Sequence, residues 1–184
     1  MPTIGSNIDL KTINAKLADI TLQFKNQGQS PTLKEFTRLV RLSIDAHTCI
    51  LTFVNLNENK VSKIAFSSQN HEFEEYLERR RDIPLTTDRR IGVSFELASN
   101  GTPYETDTLQ TDGGGVANPE IAKAYGLNYF YCHPIKIDRL LKGYLNFFSN
   151  ERTSFSEQIK LFIGIISKFA RNTLFININL ITFE

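Results

Sequence analysis

One stretch decides the fold of this chain: Gly126-Leu-Asn-Tyr-Phe-Tyr-Cys-His-Pro-Ile-Lys-Ile-Asp-Arg-Leu-Leu-Lys-Gly-Tyr-Leu-Asn-Phe-Phe148. Two runs rich in aromatic residues flank Asp138-Arg139, a polar pair that can close a tight turn. Aromatic and β-branched residues suit a pleated, half-buried surface, so the stretch predicts an antiparallel hairpin. Both predicted strands carry large side chains on both faces. We therefore expect helices or loops on both sides of the sheet.

Composition limits the class of protein. With 184 residues, of which 41% are hydrophobic, the chain can bury one substantial core without metals or disulfides. Its 21 basic and 20 acidic residues leave a net charge of +1, so no net field attracts nucleic acid or an anionic membrane. No membrane-length apolar run or signal peptide is present, and Cys49 and Cys132 have neither metal-site nor disulfide spacing. We expect a cytoplasmic protein without a metal site.

The N-terminal segment predicts an amphipathic helix. Apolar residues at steps of three and four place one narrow stripe on it: Leu10, Ile13, Leu17, Ile20 and Phe24. Two heptads leave two interpretations open. The stripe packs on its own domain, or it forms a dimer interface with a second copy.

The stretch Ser154-Phe-Ser-Glu157 predicts a capping box at the start of the last helix, and that helix is apolar around most of its circumference. One thin polar stripe, expected to face solvent, consists of Glu157, Lys160, Gly164, Lys168 and Arg171. Such a helix must be covered on more than one side. The sheet covers one side, and the first helix or a partner subunit would cover the other.

The segments between these helices alternate in type. The sequence predicts a second helix with Leu33, Phe36, Leu39, Val40 and Ile44 buried, then strands Cys49–Leu56 and Val61–Ser68. A charged helix from Glu72 to Arg81 ended by Pro84, a short helix Gly92–Ser99 and a strand Tyr104–Asp107 follow. A mobile loop then contains Gly113-Gly-Gly115, and a short helix begins at Asn118-Pro119 and ends at Gly126. The arginine clusters 79–81 and 89–90 are interpreted as solvated surface, and the glycine loop lacks phosphate-loop spacing.

This order of elements resembles a GAF domain of the bacterial signalling type. The residues that carry the resemblance are Gly92, Gly101-Thr-Pro103, Asp107, Gly126-Leu127, Cys132-His-Pro134-Ile135, Gly143-Tyr-Leu145 and Ser154-Phe-Ser-Glu157. The resemblance divides the chain into a signalling or dimerisation helix with its linker (1–31), the GAF domain (32–175) and a C-terminal tail (176–184).

The resemblance implies an α+β fold. Its six-stranded antiparallel sheet would carry the terminal helices on one face and a ligand pocket on the other. Members of the family bind cyclic nucleotides, bilins, haem or small metabolites, or nothing, and usually report to an output domain. Fold alone does not decide among these.

A ligand pocket is implied by the bilin-binding branch, in which the positions matching Phe130, Cys132 and Phe148 face the cavity. Strand alternation adds Tyr144 and Asn146 to that face. This lining is mostly apolar with few polar groups. It suits a flat aromatic ligand, or a cavity filled by its own side chains.

The cofactor remains open. At the position of the bilin-attaching cysteine and the residue after it stand Ala117 and Asn118, which argues against covalent bilin. Asn59-Lys60 alone does not form the cyclic-nucleotide constellation, and the methionine-sulfoxide-reducing branch needs more than two cysteines. Haem would need one of His47, His71 and His133 aimed into the cavity.

These considerations favour a non-enzymatic sensory or regulatory module that binds a small molecule or mediates dimerisation in intracellular signalling. A ligand-free dimerisation spacer is the alternative. An enzyme using Cys132 with His133 is less favoured, because adjacent residues of a strand point to opposite faces.

Overall fold

The structure is a computed structural model. It describes residues 33–55, 57–86, 93–94, 100–115, 118–136, 141–151 and 154–173, together with the isolated helical positions 11, 15, 18, 19 and 22. The predicted dimer stripe from Leu10 to Phe24, the Asp138-Arg139 turn and the C-terminal tail lie outside the described residues.

Four helices, a short 3₁₀ turn and seven strands make up the described chain. In order they are α1 (Leu33–Ser43), β1 (Thr48–Asn55), β2 (Lys60–Ser68), α2 (His71–Arg79), β3 (Asp82–Thr86), β4 (Val93–Ser94), β5 (Tyr104–Thr106), the 3₁₀ turn (Gly113–Gly115), α3 (Pro119–Ala124), β6 (Tyr129–Lys136), β7 (Leu141–Ser149) and α4 (Glu157–Thr173).

The strands form one sheet in the order β4-β3-β2-β1-β7-β6-β5. Six of them pair antiparallel, as predicted, and the two residues of β4 extend the sheet by a parallel pairing with β3. The β6–β7 hairpin is confirmed, with Phe130 opposite Phe148 and Cys132 opposite Asn146. The fold is therefore α+β.

One face of the sheet packs against α1 and α4. Phe36 and Val40 of α1 and Phe162 and Ile166 of α4 are fully buried in the larger core cluster, which also contains Leu145 and Phe147 of β7. The opposite face packs against α2 and α3 through a second cluster that contains Phe73, Leu77, Ala122, Phe130 and Phe148. Both faces are covered, as the large side chains on both sides of the hairpin predict.

Pro84 does not end the charged helix, contrary to the prediction. α2 ends at Arg79, where the main-chain amide of Arg80 donates to the carbonyl of Leu77. Pro84 lies in β3, opposite Lys60. A strand near the sheet edge tolerates proline because it has few ladder hydrogen bonds to lose.

The predicted helix Gly92–Ser99 is also wrong where it can be compared, because Val93 and Ser94 form β4. The glycine segment predicted as a mobile loop is a compact turn. The Tyr104 hydroxyl donates to the Gly114 carbonyl at 2.6 Å, and the Gly114 amide donates to Asp112 Oδ1 at 2.7 Å.

The polar stripe of α4 is only partly exposed, so its prediction as a solvent face needs correction. Lys160 Nζ bonds Glu105 Oε1 at 2.7 Å, and Gly164 faces His133. Residues of β5 and β6 contact this side of α4, so the middle of the stripe packs against protein and does not face solvent. Among the described residues, no helix is long and apolar enough to cross a membrane.

Candidate functional site

The five predicted pocket residues lie on one face of the sheet, the face covered by α2 and α3. Phe130 and Cys132 share it by alternation along β6. Their partners across the hairpin are Phe148 and Asn146, and Tyr144 lies two residues before Asn146. Strand alternation alone is enough to predict this arrangement.

The half of this face around Phe130 and Phe148 is filled by aromatic side chains. These two rings lie 5.0 Å apart between centroids. Phe73 of α2 meets Phe148 edge-on at 6.0 Å and packs on Tyr125 at 4.7 Å. Such distances are those of favourable aromatic pairs, so this half is a packed wall.

The other half of the face combines polar side chains with a small apolar cluster of Val54, Val61 and Tyr144. Asn146 Nδ2 donates to Thr52 Oγ1 at 2.9 Å on the neighbouring strand β1. Tyr144 is buried beside them, and burial raises the pKa of its hydroxyl to about 12. Burial also raises the pKa of the Cys132 thiol, which keeps the thiol neutral at physiological pH. We call Thr52, Lys63, Tyr144 and Asn146 the polar corner.

Lys63 belongs to the polar corner because of a β-bulge. Leu51 pairs with Ala65, but the next residue, Thr52, pairs with Lys63, so Ile64 is an extra residue in β2. A bulge of this kind changes which side chains share a face. Counting by twos from Phe66, which faces α2, would place Ile64 on the polar corner and Lys63 on the opposite face. Sequence reasoning missed Lys63 for that reason.

The ammonium of Lys63 is buried without a carboxylate partner among the described residues. The residue is 8% exposed, and its Nζ donates to the main-chain carbonyl of Arg80 at the C-terminal end of α2. Burial, aided by the Arg80 guanidinium and opposed by the Asp82 carboxylate, lowers the pKa of Lys63 to about 8. Asp82 is exposed and accepts no hydrogen bond from it.

The two cysteines face opposite sides of the sheet. Cys49 lies opposite Phe147 and is buried in the cluster under α1 and α4, whereas Cys132 lies opposite Asn146. Burial raises the pKa of both thiols. His133 points away from Cys132, and its Nδ1 lies 3.2 Å from the Tyr131 hydroxyl. The described chain therefore brings together neither two thiols nor a thiol with an imidazole.

The remaining candidate residues have structural partners. Asn118 Oδ1 caps α3 by accepting from the Glu120 amide at 2.9 Å. Arg79 of α2 lies 3.7 Å from Glu75, and Arg81, just after the helix, lies 3.0 Å from Glu78. His47 Nδ1 lies 2.8 Å from Thr48 Oγ1. Ala117 and Arg89-Arg90 lie outside the described residues. Within the described ranges, no three His, Cys, Asp or Glu side chains form a metal-binding cluster.

Comparison with known proteins identifies the fold. The sequence matches neither a protein-family model nor a curated protein. Several solved structures match over most of their length. The GAF domain of a phosphoenolpyruvate-protein phosphotransferase from Coxiella burnetii has a TM-score of 0.64 at 16% identity, covering 88% of this chain and 92% of that one.

Two further structures belong to proteins of different activity. Free methionine-R-sulfoxide reductase from Neisseria meningitidis has a TM-score of 0.63 at 13% identity, covering 89% of this chain and 88% of that one. The phycocyanobilin-bound GAF domain of a cyanobacterial phytochrome has a TM-score of 0.62 at 14% identity, with coverages of 88% and 93%. At these identities the likeness carries the fold and not the activity. The chain has the fold of a GAF domain.

Proposed function

We propose that this protein is a non-enzymatic sensory or regulatory module that binds a small anionic molecule at the polar corner. The observation that carries the proposal is the Lys63 ammonium, which is buried on the GAF sheet face opposite the terminal helices. A ligand carboxylate or phosphate would supply the missing counter-charge.

The energetics favour such a ligand. A buried charge without a counter-charge costs free energy, and a hydrogen bond to one carbonyl offsets only part of that cost. An anion bound to Lys63 Nζ would remove the penalty, so binding is favoured beyond the strength of the contact itself. Thr52 and Asn146 would orient the head group, and Tyr144 would border it. Phe130 and Phe148 then serve as the packed wall behind the site.

The thiol chemistry supports a non-enzymatic role. Solved GAF-fold structures include methionine-R-sulfoxide reductases, so the fold alone does not exclude an enzyme. A cysteine nucleophile needs a lowered pKa and a nearby base. Burial raises the pKa of Cys132, and His133 lies on the other face. Sensing therefore accounts for this site better than catalysis.

The domain division is part of the proposal. Residues 1–31 would form the signalling and dimerisation helix with its linker, 32–175 the GAF domain and 176–184 the tail. Two copies would associate through their terminal helices and pass a ligand-dependent change to an output domain or protein.

The test is native mass spectrometry of the protein purified from its own host. We expect an added mass that wild type retains and that both Lys63→Met and Asn146→Leu lose. Glu120→Gln, an exposed change on α3, is the control and should retain the mass. A ligand that remains bound to Lys63→Met would contradict the proposed site. A zinc-fluorescent band on a denaturing gel after co-expression with bilin synthesis would contradict the expected absence of a covalent bilin.

A ligand-free dimerisation spacer is the second candidate, favoured by the filled aromatic half of the face. In that case the Asn146–Thr52 hydrogen bond is purely structural. Asn146→Leu would then destabilise the fold by about 1 kcal/mol or more, and no ligand would co-purify from any source.

A further inference from the structure

A second candidate site lies on the other face of the sheet. A groove of about 560 Å³ runs between α4 and the end of the sheet formed by β5 and β6. Its walls come from α4, from the last residues of β6 and from the turn 101–103 that precedes β5. Lys63 lies on the opposite face, so the groove is a separate site, although Gly101 at its edge forms a main-chain hydrogen bond with Tyr144 of the polar corner.

The two long walls of the groove run in the same direction. Lys160 Nζ lies 5.9 Å from the centre of the Tyr131 ring, and a Cβ added to Gly164 would lie 3.6 Å from His133 Cε1. Thus about one turn of α4 spans two residues of β6, consistent with rises of about 1.5 Å and 3.3 Å per residue. If α4 and β6 keep this spacing, Lys136 at the end of β6 lies beside the turn of α4 that runs from Lys168 to Arg171.

Charge is therefore concentrated at one end of the groove. Lys136, Lys168 and Arg171 line that end, and in the described part of the chain none of them forms an ion pair. At the other end, Lys160 is neutralised by Glu105 at 2.7 Å and Glu157 at 3.3 Å. None of the described residues that line the groove carries a carboxylate. The field along the groove therefore favours an anion at the Arg171 end.

The middle of the groove is apolar. Its floor and rim include Pro103, Ile135, Leu161 and Ile165, and Leu161 is 60% exposed. Gly164 lies opposite His133 and, without a side chain, leaves the centre of the groove open. An apolar floor that leads to a cluster of cations fits a molecule with an apolar body and one anionic end.

We propose that this groove binds a small organic anion whose carboxylate, sulfonate or phosphate lies between Lys168 and Arg171. Its hydrocarbon or aromatic body lies on Ile135 and Ile165. The volume falls within the roughly 300–1,000 Å³ typical of small-molecule sites. A small ligand fits better than an acidic polypeptide, because the neutralised Lys160–Glu105 pair closes the far end and the cations occupy one end only.

The test uses a matched pair of fluorescent probes on the full chain. 8-Anilinonaphthalene-1-sulfonate carries the anionic group, and N-phenyl-1-naphthylamine has the same ring system without it. We expect wild type to bind the sulfonate, and the double variant Lys168→Ala/Arg171→Ala to bind it at least tenfold more weakly. Both substituted side chains are exposed, so the fold should be retained. Affinity for the neutral amine should be equal in the two proteins.

One control locates the binding. Lys123→Ala removes an exposed lysine of α3 and should bind the sulfonate as wild type does. The proposal is overturned if the double variant keeps its affinity within twofold, or if wild type binds the neutral amine as tightly as the sulfonate. It is also overturned if poly-L-glutamate binds through Lys168 and Arg171 while the sulfonate does not.

Discussion

Gly114 illustrates how one main-chain position controls the packing of a whole turn. Its φ of 53° lies in the left-handed region, and a Cβ at this position would lie 2.2 Å from Thr106 Cγ2. Its carbonyl and amide are both used, by the Tyr104 hydroxyl and the Asp112 carboxylate. The turn therefore holds β5 against the segment that leads to α3, and only glycine fits there.

Gly114→Ala should lower the free energy of unfolding by at least about 2 kcal/mol, because a left-handed conformation and a steric clash act together. Gly126→Ala is the matched control. Its φ is 64°, but no atom lies within 4 Å of the added Cβ, so only the conformational cost of about 1 kcal/mol remains. Urea unfolding of both variants measures the difference, and equal losses would contradict the clash.

Lys63→Met should change the pH dependence of stability. Between pH 8 and the ordinary lysine pKa of 10.5, the unfolded chain holds a proton at Lys63 that the folded chain releases. In wild type this raises stability as pH rises through that window, by about 3 kcal/mol at 1.36 kcal/mol per pKa unit. Below pH 8 the folded protein carries the full cost of the buried charge.

Lys63→Met lacks this dependence. The difference in free energy of unfolding between the variant and wild type should therefore favour the variant most at pH 7, and should fall by about 3 kcal/mol by pH 10.5. Chemical unfolding at pH 7, 8.5 and 10 measures it, with Lys34→Met on the exposed face of α1 as the control. A stability difference between Lys63→Met and wild type that does not change with pH would mean that burial does not lower the pKa of Lys63.

The polar corner also marks the limit of prediction at this scale. Asn146, Tyr144 and Cys132 follow from strict alternation along β6 and β7, which is visible in the sequence. Lys63 depends on the extra residue Ile64. A bulge depends on how two strands pack on the helices above and below them, so the local sequence of β2 does not predict it.

At the scale of elements, one carboxylate connects three of them. Glu105 of the edge strand β5 accepts hydrogen bonds from the Tyr129 hydroxyl of β6 and from Lys160 of α4. Burial works to raise the pKa of Glu105, but these two hydrogen bonds hold it below its ordinary value. The three-residue strand is thereby fixed to the helix and to its neighbour.

Glu105→Gln should destabilise the protein at pH 7 by about 1 kcal/mol, a value reduced because the carboxylate is 41% exposed and screened by solvent. Since the folded pKa is lowered, this stabilisation is present above the ordinary value near 4.5 and is lost as pH falls below it. Thermal unfolding at pH 7 and pH 3.5 measures the change. Glu120→Gln, which removes an exposed pair with Lys123, should cost less than about 0.5 kcal/mol. A Glu105→Gln effect no larger than this would contradict the connection.

Elements with strong periodicity were predictable, and short ones were not. The buried faces of α1 and α4 and the hairpin β6–β7 are specified by their own residues. The end of α2 is different, because Lys63 of the preceding strand β2 binds the carbonyl of Arg80 beyond the last helical turn. Similarly, β4 exists through pairing with β3, which the two residues Val93-Ser94 do not encode locally.

At the scale of the whole molecule, the dimer remains a proposal. The described helical positions Lys11, Ala15, Ala18, Asp19 and Leu22 are all exposed. The predicted dimer stripe from Leu10 to Phe24 lies outside the described residues.

Ile13→Glu/Leu17→Glu should convert a dimer of about 42 kDa, twice the 21.0 kDa of one chain, into a monomer or an aggregate. Each unpaired carboxylate buried in the interface costs several kcal/mol. Ala15→Glu/Leu22→Glu adds the same charges to the exposed side and should remain dimeric. Light scattering measures the mass. A wild type of about 21 kDa means that the stripe packs within one chain.

The order of the elements along the chain predicted the GAF architecture, because each helix and strand could be recognised from its own residues. The polar corner was only partly predictable. Its side chains Thr52 and Asn146 come from strands far apart in the chain and meet only in the finished sheet.

The central pairing of β1 with β7 has a consequence for how the protein folds. Thr48 lies opposite Phe148, 100 residues later in the chain. At about 5–20 residues per second, the ribosome needs roughly 5–20 s after making β1 to produce its partner. During that time the β1–β2 hairpin has an unpaired inner edge and a bare apolar face. Folding should therefore be slow for a chain of this size, and the newly made protein should depend on chaperones until β7 arrives.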